Sequence, residues 1–123
     1  MKMNYFVVGT NDMEASVKFY DSLFKETGIN QVLAGERMTF WQDEEADFAF
    51  AVAKPFDGEE ATNGNGTMVG FGVSSIEEVK KLHKKAIDLG GANEGDPNQR
   101  GPKFSAYVRD LDKNKIVFAC DVA

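Results

Sequence analysis

Few side chains in this sequence of 123 residues could do chemistry, and their spacing limits what that chemistry is. Metal centres and general bases draw first on histidine, and there is one, His83, set among Lys80, Lys81, Lys84 and Lys85. A single imidazole with no acidic neighbour in sequence cannot make a metal site, and its place at the edge of an apolar helical stripe reads as structural. The one cysteine, Cys120, ends the strand-like run from Ile116 on the bulky side of its alternation, which marks an inert core thiol rather than an activated nucleophile. Asp110-x-Asp112-x-Asn114 with Asp121 eleven places after Asp110 imitates a calcium loop. The imitation fails at the sixth place, which is Lys115 where the turn requires glycine, so a turn closed by local side-chain hydrogen bonds is expected. The acidic cluster from Asp43 to Asp47 reads as a solvated hairpin tip.

What remains is polar and aromatic. Tyr5, Thr39, Trp41, Ser105, Tyr107 and Arg109 offer hydroxyl, indole or guanidinium donors beside aromatic surface, a composition suited to a planar or anionic small molecule. Tyr5 and Tyr107 are the candidates for acid–base work, although a tyrosine is a weak base at neutral pH unless a cation such as Arg109 sits beside it. Arg100, in Gln99-Arg-Gly-Pro102, is expected on a loop that closes over the same face.

These residues have to be positioned by a chain with room for one domain, about residues 1–123, whose 42% hydrophobic content supports a core without disulfides. Twenty acidic residues against fourteen basic ones give a net charge of −6, which speaks against nucleic acid as a partner. No apolar run approaches the roughly 18 residues of a membrane span, and one cysteine offers no intramolecular disulfide, so a cytoplasmic protein is expected.

Tyr5 to Gly9 reads as a strand, followed by a helix with Asn11 or Asp12 as cap, Glu14 in capping-box spacing from Asn11, and Val17, Phe19, Tyr20, Leu23 and Phe24 apolar before Gly28. Period-two stretches at Arg37–Trp41 and Phe48–Ala53 predict strands. Residues 57 to 65 read as a linker between a first module, about 1–56, and a second, about 66–123. In the second, Thr67–Val73 is a strand, Ser74 and Ser75 cap a helix bearing Ile76, Val79, Leu82, Ala86 and Ile87, and Lys103–Arg109 and Ile116–Cys120 are strands. A shift of 63 residues carries Gly9 onto Gly72, Asp12 onto Ser75, Met13 onto Ile76, Phe19 onto Leu82 and Gly28 onto Gly91. The chain is therefore a tandem repeat of strand, helix and up to three strands, an α+β fold in which the two modules share a curved mixed sheet.

Alternation assigns each strand a helix-covered face and an open face. Phe6, Val8, Phe50, Val52, Val69, Phe71, Ile116, Phe118 and Cys120 are expected under the helices. Tyr5, Ala49, Ala51, Ala53, Met68, Gly70, Val117 and Ala119 are expected opposite, together with Thr39, Trp41, Ser105, Tyr107 and Arg109. An open face so rich in Ala and Gly leaves room for a ligand.

The segments Gly9 to Asp21, Lys54 to Gly58, Gly64 to Met68, Glu94 to Pro97 and Tyr107 to Lys115 resemble the glyoxalase/bleomycin-resistance/extradiol-dioxygenase family, the vicinal oxygen chelate superfamily, over nearly the whole chain. The resemblance implies two βαβββ modules around a cupped sheet, commonly in a homodimer. In its enzymes it implies a divalent metal held by a histidine on the first strand of each module and by Glu, Gln or His on the last. Carried onto this sequence, those positions are Tyr5, Met68, Val117 and Ala49 or Ala51, none an imidazole or carboxylate.

The expected function is therefore metal-free, cofactor-free capture of a small molecule by Tyr5, Thr39, Trp41, Met68, Arg100, Ser105, Tyr107, Arg109 and Val117, in a homodimer. An enzyme of glyoxalase-like lyase type, using another metal site or a tyrosine acid–base, is the first alternative. An interaction module with its hollow closed by Trp41 and Tyr107 is the second.

Overall fold

The structure, a computed structural model, describes residues 1–45 and 47–122. Two compact units, Met1–Asn63 and Gly64–Ala123, each run strand, helix and three strands. The first holds β1 (Tyr5–Gly9), α1 (Met13–Leu23), β2 (Ile29–Ala34), β3 (Met38–Asp43) and β4 (Ala49–Ala53). The second holds β5 (Val69–Gly72), α2 (Ile76–Asp88), β6 (Ala92–Arg100), β7 (Lys103–Arg109) and β8 (Lys115–Asp121). Hydrogen bonding orders the sheets β1-β4-β3-β2 and β5-β8-β7-β6, with β1–β4 and β5–β8 parallel and every other pair antiparallel. The parallel pair arises because α1 or α2 carries the chain across one face to the far edge strand, β2 or β6, from which two antiparallel pairings bring it back beside the first strand.

In the first unit α1 starts at Asp12, whose carboxylate accepts the Ala15 N–H at 3.1 Å. Asn11, one residue earlier, does other work: its amide donates to Ala61 O at 3.1 Å and accepts from Ala61 N at 2.7 Å, clamping the segment after β4 across the end of β1. Gly9 permits that crossing, because a Cβ there would meet Ala61 Cβ at 2.9 Å. The buried side of α1 is Ser16, Phe19, Tyr20 and Leu23. Beneath it Phe50 packs against Tyr20 and Phe24 with ring centroids 4.8 and 5.9 Å away, as alternation predicted for β4.

The second unit repeats the plan. Ser75 Oγ accepts the Glu78 N–H at 3.1 Å, and Val79, Leu82, His83 and Ala86 turn inward. Phe71 stacks on Phe118 at 6.3 Å, and Cys120 is buried on the same side. His83 is buried, with Nε2 3.0 Å from Asn93 Oδ1. The Asn93 carbonyl oxygen also accepts from Gly95 N while its amide donates to Asp96, so His83 carries its proton on Nε2 and is spent on holding β6. The expected Asp110 turn is present: Asp110 Oδ1 accepts from the N–H groups of Asp112 and Asn114, both at 2.9 Å.

Two sequence expectations are corrected. Residues 92–100 form β6, so Arg100 ends a strand, paired with Lys103 across a tight turn, rather than lying on a closing loop. The other concerns Trp41 and Thr39, which pair in register with Phe50 and Val52 and so share the helix-covered face.

Candidate functional site

Each sheet has one face turned away from its helix. In the second unit that face carries most of the expected residues. Cross-strand register sets Ser105 opposite Ala119, Tyr107 opposite Val117 and Arg109 opposite Lys115, all on the side away from α2. Gly70 and Gly72 continue the face on β5, and Gly95 lies opposite Tyr107 on β6. The glycine at 95 matters sterically. A Cβ there would come within 2.9 Å of Tyr107 Cδ1 and 3.4 Å of Arg100 Nη2, so the absent side chain gives both groups their room.

Into that room Arg100 is tightly held. Its Nη1 donates to Ser105 O at 2.6 Å and to Ser105 Oγ at 3.3 Å, its Nη2 donates to Asp96 O at 2.8 Å, and its guanidinium carbon lies 5.1 Å from the Tyr107 ring centre. Lys115 Nζ lies 5.2 Å from the same ring. Arg109 donates from Nε to Glu94 at 3.3 Å and from Nη1 to Lys113 O at 3.0 Å. Its acidic partner is thus Glu94 across the strands. Two cations, Arg100 and Lys115, flank the Tyr107 ring, and the Ser105 hydroxyl and backbone carbonyls rather than acids fix Arg100, so its charge stays available to an anion.

Met68 precedes β5 and is exposed; Tyr5, in the first unit, is also exposed and meets Phe40 edge-on at 5.5 Å. Thr39 and Trp41 leave the expected set. Trp41 is buried among Tyr20, Phe24 and Phe50, and its Nε1 donates to Asp21 Oδ1 at 2.9 Å. Thr39 Oγ1 faces Met13 Sδ of α1 at 3.6 Å. With Trp41 in the first core, closure of a hollow by Trp41 against Tyr107 falls away.

The positions that correspond to metal ligands in enzymes of the resembled family hold a phenol, a thioether and alkyl groups, a set that does not fit a divalent metal. Among the described residues no three His, Cys, Asp or Glu side chains gather closely enough to hold a metal ion.

A groove that the sequence did not reveal lies on the helix side of the first unit, where α1 passes the β2–β3 hairpin. It measures about 700 Å³ and is lined by Met13, Val17, Ala34 and Thr39, with Lys18 and Lys54 among the charged residues. The signal for it in the sequence is confined to the faces of Thr39 and α1, and alternation alone places Thr39 on the face opposite to the one its pairing with Val52 gives it.

Comparison with known proteins follows this geometry. The Glyoxalase/Bleomycin resistance protein/Dioxygenase superfamily matches residues 2–118. A glyoxalase/bleomycin resistance protein from Albidiferax ferrireducens T118 is 35% identical, with 98% of each chain covered and a TM-score of 0.90. A glyoxalase-related enzyme from Fulvimarina pelagi, 21% identical over 98% of this chain and 88% of its own, superposes with a TM-score of 0.81. A glyoxalase/bleomycin resistance protein/dioxygenase family enzyme from Burkholderia phytofirmans PsJN, 18% identical over 99% of this chain and 100% of its own, gives 0.82. No curated protein matches the sequence.

Proposed function

Because the chain belongs to the glyoxalase/bleomycin resistance protein/dioxygenase superfamily, we propose that it uses this fold to bind a small anionic molecule without a metal. The observation that carries the reading is the Tyr107 platform, where Arg100 is pinned by carbonyl oxygens beside an aromatic ring and Lys115 and Arg109 share the face. A planar carboxylate or phosphate presents the charge and the π surface that this platform complements. Ser105, buried beneath Arg100, adds a hydroxyl, while Gly70, Val117 and Ala119 keep the neighbouring surface low. The donor set at Tyr5, Met68, Val117, Ala49 and Ala51 supports a role in which no metal takes part.

The test is a thermal-shift panel of aromatic carboxylates and aryl phosphates on protein treated with EDTA. A ligand at 100 times its Kd is expected to stabilise by about 2.7 kcal/mol. Arg100→Gln and Tyr107→Ala are expected to abolish the shift. Stabilisation that vanishes with EDTA, or that survives both substitutions, would overturn the reading.

The reading includes a cytoplasmic homodimer. Its support is the exposed apolar side chains of the first unit, Tyr5, Val7, Val32 and Leu33 among them, and a lone buried cysteine. Light scattering is expected to give twice the 13.6 kDa chain mass at micromolar concentration, and a value of one chain mass would refute it. No helix among the described residues is long and apolar enough to cross a membrane.

A further inference from the structure

We propose that Asn93, anchored by the buried His83, is the positioning residue of the Tyr107 platform, an inference that rests on the anion-binding reading of that face. Asn93 holds β6 in the register that sets Arg100 against the ring. The single histidine then acts on the site from the other side of the sheet.

β6 has to connect the two faces. Asn93 pairs with Val108, which is fully buried, whereas Gly95 pairs with Tyr107 on the open side. The register shifts between Asn93 and Gly95, and again between Gly95 and Asn98. An edge strand with two irregularities in succession has few ladder bonds to define its register, so side chains have to supply the definition. The Asn93 side chain spans the first irregularity. Its Oδ1 accepts from Gly95 N and from His83 Nε2, both at 3.0 Å, and its Nδ2 donates to Asp96 Oδ1 at 2.7 Å.

These bonds tie a fixed point on α2 to the two residues on which Arg100 depends. Gly95 leaves room for the Tyr107 ring and for Arg100 Nη2, and the Asp96 carbonyl accepts Nη2 at 2.8 Å. His83 is 7% exposed, so the anchor belongs to the core rather than to the edge. A slip of one residue sets Glu94 or Asp96 opposite Tyr107, with a Cβ where only 2.9 Å separates it from Tyr107 Cδ1. The same slip carries the Asp96 carbonyl away from Arg100.

The test reads the arginine and the ligand separately. In the unaltered chain the Arg100 δ-proton NMR resonances are expected upfield of their usual position, because the guanidinium carbon lies 5.1 Å from the Tyr107 ring centre. Tyr107→Leu removes the ring and defines the unshifted position. Asn93→Ala, at an exposed edge position, is expected to move the resonances there, and so is His83→Leu, which fills the core but donates nothing. His83→Gln, whose amide N–H replaces the Nε2 donor, is expected to keep the upfield shift, whereas a packing role alone ranks Leu above Gln. Asn93→Ala and His83→Leu are expected to weaken phenyl phosphate binding about tenfold, the loss that follows when the held arginine falls to about a tenth of the population. An upfield shift that survives Asn93→Ala, or that His83→Gln and His83→Leu lose alike, would overturn the proposal. If the shifts move as expected while phenyl phosphate and benzoate fail to bind the unaltered chain, the positioning stands and the anion-binding reading falls.

Discussion

Trp41→Ala is expected to lower the unfolding free energy by about 3–5 kcal/mol, a large part of the roughly 5–15 kcal/mol that holds a domain of this size. The magnitude follows from what surrounds the indole. It is 1% exposed, with the rings of Tyr20, Phe24 and Phe50 at 5.7, 6.1 and 6.1 Å, so truncation opens a cavity in the middle of the first core. Because Trp41 is the only tryptophan, unfolding of the variant must be followed by far-UV circular dichroism in a urea titration. Two further variants separate packing from hydrogen bonding. Trp41→Phe keeps most of the ring and loses the Nε1 donor to Asp21, and a cost of about 1–2 kcal/mol is expected. Asp21→Ala removes the acceptor from the exposed side, where Gln31 also donates to it at 3.0 Å, and is expected to cost about 1 kcal/mol. A loss below about 1 kcal/mol for Trp41→Ala would mean that the indole does not occupy this core.

The misplacement of Trp41 in the sequence shows where alternation stops being informative. Along β4 one parity is Phe50 and Val52 and the other is alanine, so bulk alone assigns the faces, and the Phe50 packing agrees. Along β3 both parities are substantial: Met38 and Phe40 against Thr39 and Trp41. Period two then describes a strand without saying which side is covered. The pairing of Trp41 with Phe50 decides it, and that register depends on the geometry of the β3–β4 connection, which composition does not encode. The second sheet had no such ambiguity on β7, where Ala106 and Val108 are fully buried and Ser105, Tyr107 and Arg109 alternate with them. The grouping of those three on one open face was therefore legible in advance.

β6 was hidden for a different reason. Ala-Asn-Glu-Gly-Asp-Pro-Asn-Gln-Arg has neither alternation nor β-branched residues, and it contains both Gly and Pro. It is an edge strand held by backbone pairing to β7, with irregularities between Asn93 and Gly95 and between Gly95 and Asn98. Pro97, lacking an N–H, falls inside the second irregularity, where no ladder bond is required of it. Finding this strand changes the site: it sets Gly95 against Tyr107 and delivers Arg100 to the ring from a fixed strand end. The helix starts, by contrast, were legible to within one residue: Asn11 or Asp12 and Ser74 or Ser75 were the candidates, and Asp12 and Ser75, at equal places in the repeat, are the caps.

The turn that ends β7 carries the second large effect. Asp110 is 4% exposed; its Oδ1 accepts from two backbone N–H groups and its Oδ2 accepts from Asn114 Nδ2 at 3.0 Å. The turn also places Lys113 at a φ of 68°, a left-handed conformation that a side chain tolerates only when its surroundings enforce it. Asp110→Ala removes all three of these acceptor contacts at once in a buried setting, and a loss of about 2–4 kcal/mol is expected. Asp110→Asn retains one carbonyl oxygen for the backbone groups but turns an amide donor toward the amide of Asn114, so about 1–2 kcal/mol is expected from that conflict. Exchanging the pair, Asp110→Asn with Asn114→Asp, restores donor facing acceptor. It is expected to recover at least about 1 kcal/mol in urea denaturation relative to Asp110→Asn alone. Recovery identifies the side-chain pair as the source of the cost. No recovery would place it in the backbone contacts alone. In that case Lys113→Gly, which relieves the positive φ, is expected to stabilise the Asp110→Ala turn by about 1 kcal/mol.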